Sequence, residues 1–544
     1  ERIGGAFLKA GIGYGGSCLL GQETVLIRRG KDIGLSRLDD LFGRIALETD
    51  ADLDAEVVWP EDLTVLARDG DGSLLWRPIH AVTSRPYDGE VVEVWTMWGR
   101  RLTTTVDHPF AVIDPRHQEA GEEVMLAGDL TERCWLPIAS GPVETDPGPA
   151  RFSSATARVA AGLSADQIIF RPAPEVRAAL GSIPLDDRRR AFANHPRGVA
   201  KRSADIKRSG ALRLDEALEL RLPLEGGTVG TARNGTYVPV GFDLDEDFWR
   251  ILGLYLAEGH CAIDGVHHRH RLCWSFHPRE EEHLVDFVAG YWRDHGVKAT
   301  VADGSTSRFV SVSSKLVARW FLDHLKTGVD AYSKRIPNLA WSRPITERQA
   351  LLAGLWAGDG SWSYVNRGNS VVLEYGTVSA ELADGMMRML QLDGIIASRR
   401  VGRTSKSTID THWLRVSGAE QVERSLYLVD PSEREEIHGI SPRASRDLGG
   451  AGHRNGAEAL LGAGVLARDS RPAPVRRNGR ARHAQLLPQG RLRAQAARRQ
   501  LRLPLPAPQL GDRGQRAAEA PGHRQAQEAP GHPGRPAGGA AGVR

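Results

Sequence analysis

The chain has little cysteine, no long apolar run and almost no net charge. Four cysteines in 544 residues (Cys18, Cys134, Cys261, Cys273) do not make a disulfide framework, and a reducing cytoplasm is the natural compartment for them. No uninterrupted apolar stretch approaches the roughly 18 residues of a membrane span, so no membrane partner is expected. A formal net charge of +3 is too small to mark the whole surface as nucleic-acid-binding. Any DNA-contacting face must therefore be local. Aromatic residues stop at Tyr427 and lysines at Lys406, after which Arg, Ala, Gly, Pro and Gln dominate to Arg544. Such a segment buries too little apolar surface to offset its ordering entropy, so a disordered tail is expected over 431–544. The dipeptide His-Asn occurs nowhere. There is no signal peptide, and a start on Glu1 close to a glycine-rich motif reads as a fragment.

What is present is ordinary for a globular protein, with 26% charged and 41% apolar residues, and the length suggests three or four folding units. Near the start, Gly11-x-Gly13-x-x-Gly16 matches a dinucleotide fingerprint in letters only. That motif needs a strand before it and a helix after it. Here Ala6–Ala10 reads as helix and Cys18-Leu-Leu-Gly as strand, so the glycines read instead as a place where backbone approaches another group closely.

From Cys18 to about Pro147 short β-forming runs alternate with turn signals. Thr24-Val-Leu-Ile, Glu56-Val-Val-Trp, Leu63-Thr-Val-Leu, Glu90-Val-Val-Glu-Val-Trp and Leu102-Thr-Thr-Thr-Val are the strands, and Arg68-Asp-Gly-Asp-Gly-Ser is a hairpin turn. This predicts an all-β module. Within it stands Thr105-Val-Asp-His108, a threonine at a strand end with a histidine three residues on.

Glu1 to Ser17 resembles the approach to the active-site loop of UDP-glucose 6-dehydrogenases, whose motif would continue Cys-Phe-Pro-Lys-Asp. Instead Cys18-Leu-Leu-Gly-Gln-Glu-Thr-Val resembles the first block of an intein, and Thr105-x-x-His108 its Thr-x-x-His block. The resemblance implies an all-β Hint (horseshoe) splicing domain inserted in a dehydrogenase, with residues 1–17 as its N-terminal extein. Cys18 would attack the Ser17 carbonyl and move the acyl group from nitrogen to sulfur. His108 would protonate the departing nitrogen and Thr105 would bind the strained peptide.

Residues 148–242 are dense in Arg and Lys (Asp186-Asp-Arg-Arg-Arg, Lys201-Arg, Lys207-Arg) and read as a basic linker that could also contact DNA. Beyond it, Ile251-Leu-Gly-Leu-Tyr-Leu-Ala-Glu258-Gly259 and Leu352-Ala-Gly-Leu-Trp-Ala-Gly-Asp359-Gly360 repeat one pattern, an apolar helix ending in an acid and a glycine. Small residues at Gly253, Ala257, Gly354 and Ala357 would let two such helices approach closely. The pair resembles the motifs of LAGLIDADG (dodecapeptide, DOD-type) homing endonucleases. Over 243–430 this implies two pseudo-symmetric αββα halves, Glu258 and Asp359 as catalytic metal ligands for Mg²⁺, and double-stranded DNA, namely the intein-free host gene, as partner. Tyr332-Ser-Lys334-Arg-Ile-Pro resembles the Lys-x-Ile-Pro segment between the halves, which makes Lys334 a candidate base or phosphate contact. Cys261-Ala-Ile-Asp-Gly-Val-His-His-Arg-His-Arg-Leu-Cys273 reads as a basic ribbon of major-groove width, with a zinc site as the alternative.

In the tail, one-nucleotide-shifted codons for His483–Arg493 permit Met-His-Asn-Cys-Phe-Pro-Lys-Asp, an intein terminus followed by the absent dehydrogenase motif. A frameshift between about 431 and 472 is thus expected. As written the chain lacks the terminal asparagine and following cysteine, so it should form a thioester without ligating. The alternatives are a DNA-binding protein with a decayed nuclease and a fragment of an NAD-dependent dehydrogenase.

Overall fold

The computed structural model describes residues 18–438, apart from positions 50–56, 70–72, 114–121, 144, 146–147, 194, 196–197, 233–235, 266–268, 366–369 and 404–408, together with 476–478. Residues 1–17, with their dehydrogenase resemblance, and the codon-shifted segment His483–Arg493 lie outside the described residues. The chain divides into Glu1–Ala481 and Arg482–Arg544, and all that follows concerns the first unit.

The N-terminal strands form where the alternation places them. Thr24–Arg29 and Asp32–Arg37 make a hairpin whose turn uses Gly30 at φ +59, a value that suits glycine. Leu63–Arg68 adds to one side and Leu74–Pro78 pairs with it antiparallel, while residues 70–72 of the expected hairpin turn lie outside the described residues. The module is not all-β, however. Leu38–Glu48 is a helix, because Leu41, Phe42, Ile45 and Ala46 recur at helical spacing and bury one stripe against Ile27, Leu63, Ile79 and Val82. Val91–Trp95 and Arg101–Thr105 form a second antiparallel ladder, and Arg476–Asn478 pairs with Val91–Trp95 on its other edge.

Residues 148–242 are more than a linker. Arg151–Ser153 and Gly241–Asp243 pair as an antiparallel neck. Between them lie a four-stranded sheet built on Ile168–Arg171 and Thr228–Thr231 and helices that include Gly198–Ser209 and Leu214–Glu219. The charge run misleads because apolar residues lie under it: Phe192, Ile206 and Leu212 form a small core. The ion pair between partly buried Arg202 and buried Glu216 ties the two helices together.

The two acid-ending repeats are helices Glu246–Glu258 and Ile345–Asp359. Each opens a half of the same order. In the first, strands Gly259–Asp264 and Arg269–Phe276 lead to helix Glu282–Asp294, strands Ala299–Asp303 and Arg308–Val312, and helix Lys315–Arg319. In the second, Gly360–Val365 and Ser370–Thr377 lead to Ala380–Leu392, Ser398–Gly402, Thr411–Ser417 and Ala419–Arg424. The two four-stranded sheets have the same strand order. Each half is thus αββαββα, longer than the expected αββα, because the strands after the middle helix are needed to cover its apolar stripe.

The disorder expected from residue 431 does not hold for residues 431–438, and the rest of that segment apart from 476–478 lies outside the described residues. Residues 431–438 are helical and Ile437 is fully buried, a single apolar anchor that composition over a long window averages away.

Candidate active centres

The first centre is organised by the strand Arg101–Thr105. Its last three residues, Thr103, Thr104 and Thr105, are buried, and Cys18–Leu20 runs alongside them. Leu20 N donates to Thr103 O at 3.2 Å and Thr105 N to Cys18 O at 2.9 Å. The Thr105 hydroxyl bridges both ends of residue 18: Cys18 N donates to Oγ1 at 2.9 Å, and Oγ1 donates to Cys18 O at 3.4 Å. The amide nitrogen that an acyl shift would release is therefore already held by a hydroxyl. The Ser17 side of that bond lies outside the described residues.

His108 follows on the turn that ends this strand, its amide donating to Thr105 O at 3.2 Å. The imidazole is 7% exposed, packs edge-on against Phe110, and its Nδ1 has no hydrogen-bond partner among the described residues. Burial lowers its pKa below the ordinary histidine value, with Asp107 opposing. A neutral ring with an unpaired buried nitrogen is equipped to exchange a proton with a neighbour.

The second centre lies where the two long helices end. They touch backbone to backbone: a Cβ on Gly253 would stand 2.1 Å from Leu351 O, and one on Gly354 2.0 Å from Arg250 O. A Cβ on Gly358 would meet the Ala257 side chain at 2.5 Å. Only glycine fits these places, and the contact brings the two C-terminal acids together. Burial, then the Asp359 charge, pushes the Glu258 carboxyl up to about 7, while burial raises Asp359 against the pull of Lys334.

Lys334 is a cation whose charge acts on both. Its side chain is 3% exposed and Nζ donates to Ala257 O at 2.8 Å, at the end of the first helix. Burial lowers it to about 8 although Asp359, Glu258 and Asp330 all favour its charge. Its backbone is fixed from the other half, where Ser379 Oγ donates to Lys334 O at 2.6 Å. The sequence reading missed Glu281, whose charge also raises both carboxyls, and His260, lowered by burial and by Lys334. Glu281 sits in the run Arg279-Glu-Glu-Glu282, which reads as a solvated face and carries no other signal.

Two desolvated carboxylates that repel one another suit a hard divalent cation, which commonly takes one or two protein carboxylates and completes its shell with phosphate and water. Among the described residues there is no group of three or more His, Cys, Asp or Glu that could hold a metal by itself, and His267 and His268 of the Cys261–Cys273 ribbon lie outside them. In that ribbon Cys261 lies opposite Leu272 and Cys273 opposite His260, so strand alternation turns the two thiols to opposite faces. A zinc ion shared by both thiols does not fit that arrangement.

The two centres share one body. Arg399 N donates to Trp98 O at 2.9 Å, Arg100 Nη1 to Ala397 O at 3.2 Å, and Arg388 Nη2 to Thr24 Oγ1 at 2.8 Å. Among the described residues, no helix is long and apolar enough to cross a membrane.

Residues 346–427 match the model of a LAGLIDADG-like domain. The uncharacterised protein MJ1054 of Methanocaldococcus jannaschii is 28% identical over 438 residues, 78% of this chain and 45% of that protein. A DNA polymerase of Thermococcus hydrothermalis is 24% identical over 180 residues, 33% of this chain and 10% of the polymerase. The chain thus spans less than half the length of either curated relative. Among solved structures, the homing endonuclease I-DmoI in complex with DNA and Mn has 13% identity and a TM-score of 0.25, covering 36% of this chain and 95% of that one. The transcription factor IIB Mvu mini-intein has 17% identity and a TM-score of 0.20, covering 23% and 71%.

Proposed function

We propose that this chain is a protein-splicing element carrying a site-specific, divalent-metal-dependent DNA endonuclease. The observation that carries the nuclease reading is the backbone-tight crossing of the two glycine-bearing helices, which sets Glu258 and Asp359 together over the buried ammonium of Lys334. Glu258 and Asp359 would hold Mg²⁺, which when bound supplies positive charge to a scissile phosphate and acidity to a coordinated water. This chain's own residues exclude bulk water from the helix crossing, hold the two carboxylates in place and set an ammonium beside them.

Duplex DNA is the substrate this site fits. Strand alternation places Arg269 and Arg271 on the face opposite Leu272 and Trp274, and Arg400 and Trp413 on the face opposite Leu414. Residues 148–242 carry 15 Lys and Arg against 9 Asp and Glu and would extend the phosphate contact. Cleavage of a plasmid library of randomised inserts with Mg²⁺, absent with EDTA and absent in Asp359→Asn, tests the reading. Retained binding without cleavage by the wild type supports instead the decayed nuclease, for which Glu258, where its repeat mate has Asp359, is the specific observation.

At the other centre, the Cys18 thiol would add to the Ser17 carbonyl. The carbon–sulfur bond forms, the carbon–nitrogen bond breaks, and the amine held at Thr105 Oγ1 takes a proton through His108. The chain as written has no His-Asn, so the thioester would end in hydrolysis or thiol capture and release of residues 1–17. Intact mass with and without added thiol tests this, and a ligated flank overturns it. The dehydrogenase host and the frameshift belong to the same reading, and the coding DNA across codons 425 to 495 tests both.

A further inference from the structure

Cys18–Leu20 meets the strand Arg101–Thr105 over a very short antiparallel ladder, a single bridge with Leu19 opposite Thr104. In an antiparallel ladder the N–H and C=O of alternate residues point to the same partner, and such a pair exchanges two backbone bonds. Here each flanking pair makes one of its two. Leu20 N donates to Thr103 O at 3.2 Å, and Thr105 N donates to Cys18 O at 2.9 Å. The returning bond is taken by a side chain at both ends. At one end Cys18 N donates to Thr105 Oγ1 at 2.9 Å. At the other, Thr103 N donates to Glu23 Oε1 at 3.0 Å.

The turn after Leu20 explains the second substitution. Glu23 N donates to Leu20 O at 2.9 Å, which commits to the turn the carbonyl that Thr103 would otherwise use. Thr103 is 6% exposed, and a buried N–H left without an acceptor costs about 1–3 kcal/mol. The Glu23 carboxylate supplies that acceptor, and the Glu23 backbone is fixed in turn, its carbonyl accepting from Leu38 N at 2.9 Å.

Two cations face this carboxylate. Arg388, on the helix Ala380–Leu392, pairs through Nε with Asp384 at 3.0 Å and donates Nη2 to Thr24 Oγ1 at 2.8 Å. Arg101, paired with Glu93, faces it from its own strand. Burial raises the Glu23 carboxyl above the usual glutamate value, while the Thr103 bond and the charges of Arg101 and Arg388 oppose the rise.

We propose that Glu23 is a positioning residue for the acyl shift, fixing the Thr103–Thr105 backbone against Cys18–Leu20 so that the Thr105 hydroxyl stays on the Cys18 nitrogen. This rests on the acyl-shift reading above. In that step the Cys18 sulfur bonds the Ser17 carbonyl carbon and the carbon–nitrogen bond breaks. The nitrogen that gains a proton is the one Thr105 Oγ1 holds. Glu23 acts on it through two residues of strand backbone, and a misplacement of about 1 Å can cost about 10²-fold in rate.

The test uses the full-length chain at saturating dithiothreitol, which captures the thioester and carries off residues 1–17, with release followed by intact mass. Glu23→Ala should slow release by about tenfold to 10²-fold. Glu23→Gln, whose amide oxygen still accepts from Thr103 N, should release within about threefold of the wild type and keep its Tm. The wild-type rate divided by the Glu23→Gln rate should fall as pH is lowered toward the ordinary glutamate range, because a protonated carboxyl accepts more weakly than a carboxylate. The contributions of Cys18 and His108 cancel in that ratio. Release by Glu23→Ala at the wild-type rate, a Gln variant as slow as the Ala variant, or a ratio flat with pH each overturns the inference and leaves the acyl-shift reading standing. If Glu23→Ala does not fold, the ratio decides alone. Absence of thiol-dependent release by the wild type overturns the acyl-shift reading and this inference with it.

Discussion

At Cys18 the chain surrounds the backbone of one residue with partners, whereas at Glu258 and Asp359 it brings like charges together beside the buried ammonium of Lys334. The first centre is a β-ladder: backbone and hydroxyl of Thr105 satisfy the backbone of residue 18, and among the described residues the unpaired buried atoms close by in sequence include Thr103 Oγ1, Asp107 Oδ1 and His108 Nδ1. The second is a helix crossing without a Cβ at its tightest points, and all three of its charged groups are displaced toward their neutral forms. A site for a peptide rearrangement needs geometry and a mobile proton. A site for a cation needs charge held in reserve, which only an incoming ligand relieves.

The strongest way to break this comparison is to disable the centres crosswise. Glu258→Gln or Asp359→Asn should lower DNA cleavage by more than about 10³-fold and leave thiol-dependent release of residues 1–17 unchanged. Cys18→Ala should abolish that release and leave cleavage intact. If either variant removes both activities, the centres are coupled and the contrast fails.

A second test concerns the scaffold. Arg348 and Asp393 form a buried ion pair at 3.0 Å, completed by Tyr427 Oη donating to Asp393 at 3.1 Å. Arg348→Met strands that carboxylate and should cost about 3–5 kcal/mol in chemical denaturation. Gly354→Ala, which drives a methyl into Arg250 O, should cost about 1–3 kcal/mol and reduce cleavage before it reduces release. Gly30→Ala, with open space but positive φ, should cost only about 1 kcal/mol.

The smallest effect is in the pH dependence. Glu258 binds its proton more tightly folded than unfolded, so without a cation the fold loses stability as pH rises from the usual carboxylate range through about 7. Lys334 has the opposite sign, its folded value near 8 meaning that stability is regained between there and the unfolded lysine value. Mg²⁺ should therefore raise Tm more near pH 8 than near pH 6, and cleavage should rise through about pH 7. An equal Mg²⁺ shift at both pH values would show that Glu258 does not meet the ion.

Much of the fold could be read from local pattern. The strands at Thr24–Arg29, Leu63–Arg68 and Val91–Trp95 fall where β-formers cluster, and both acid-ending helices stop at their glycines. The helix Leu38–Glu48 escaped because its stripe, Leu41-Phe42 and Ile45-Ala46, is short and flanked by charges. The folded insert at 148–242 escaped because its core residues are thinly spread among arginines.

By itself the sequence determined the periodicities, the two helix ends with their acids, and the threonine–histidine spacing, since these depend on neighbours within a few residues along the chain. Only the tertiary structure decided that Lys334 reaches Ala257 while Arg434 turns back, that Glu281 adds its charge to the acids, and that Thr105 clasps residue 18 across 87 positions. Desolvation and charge coupling depend on what surrounds a group in space, and no local spacing encodes that.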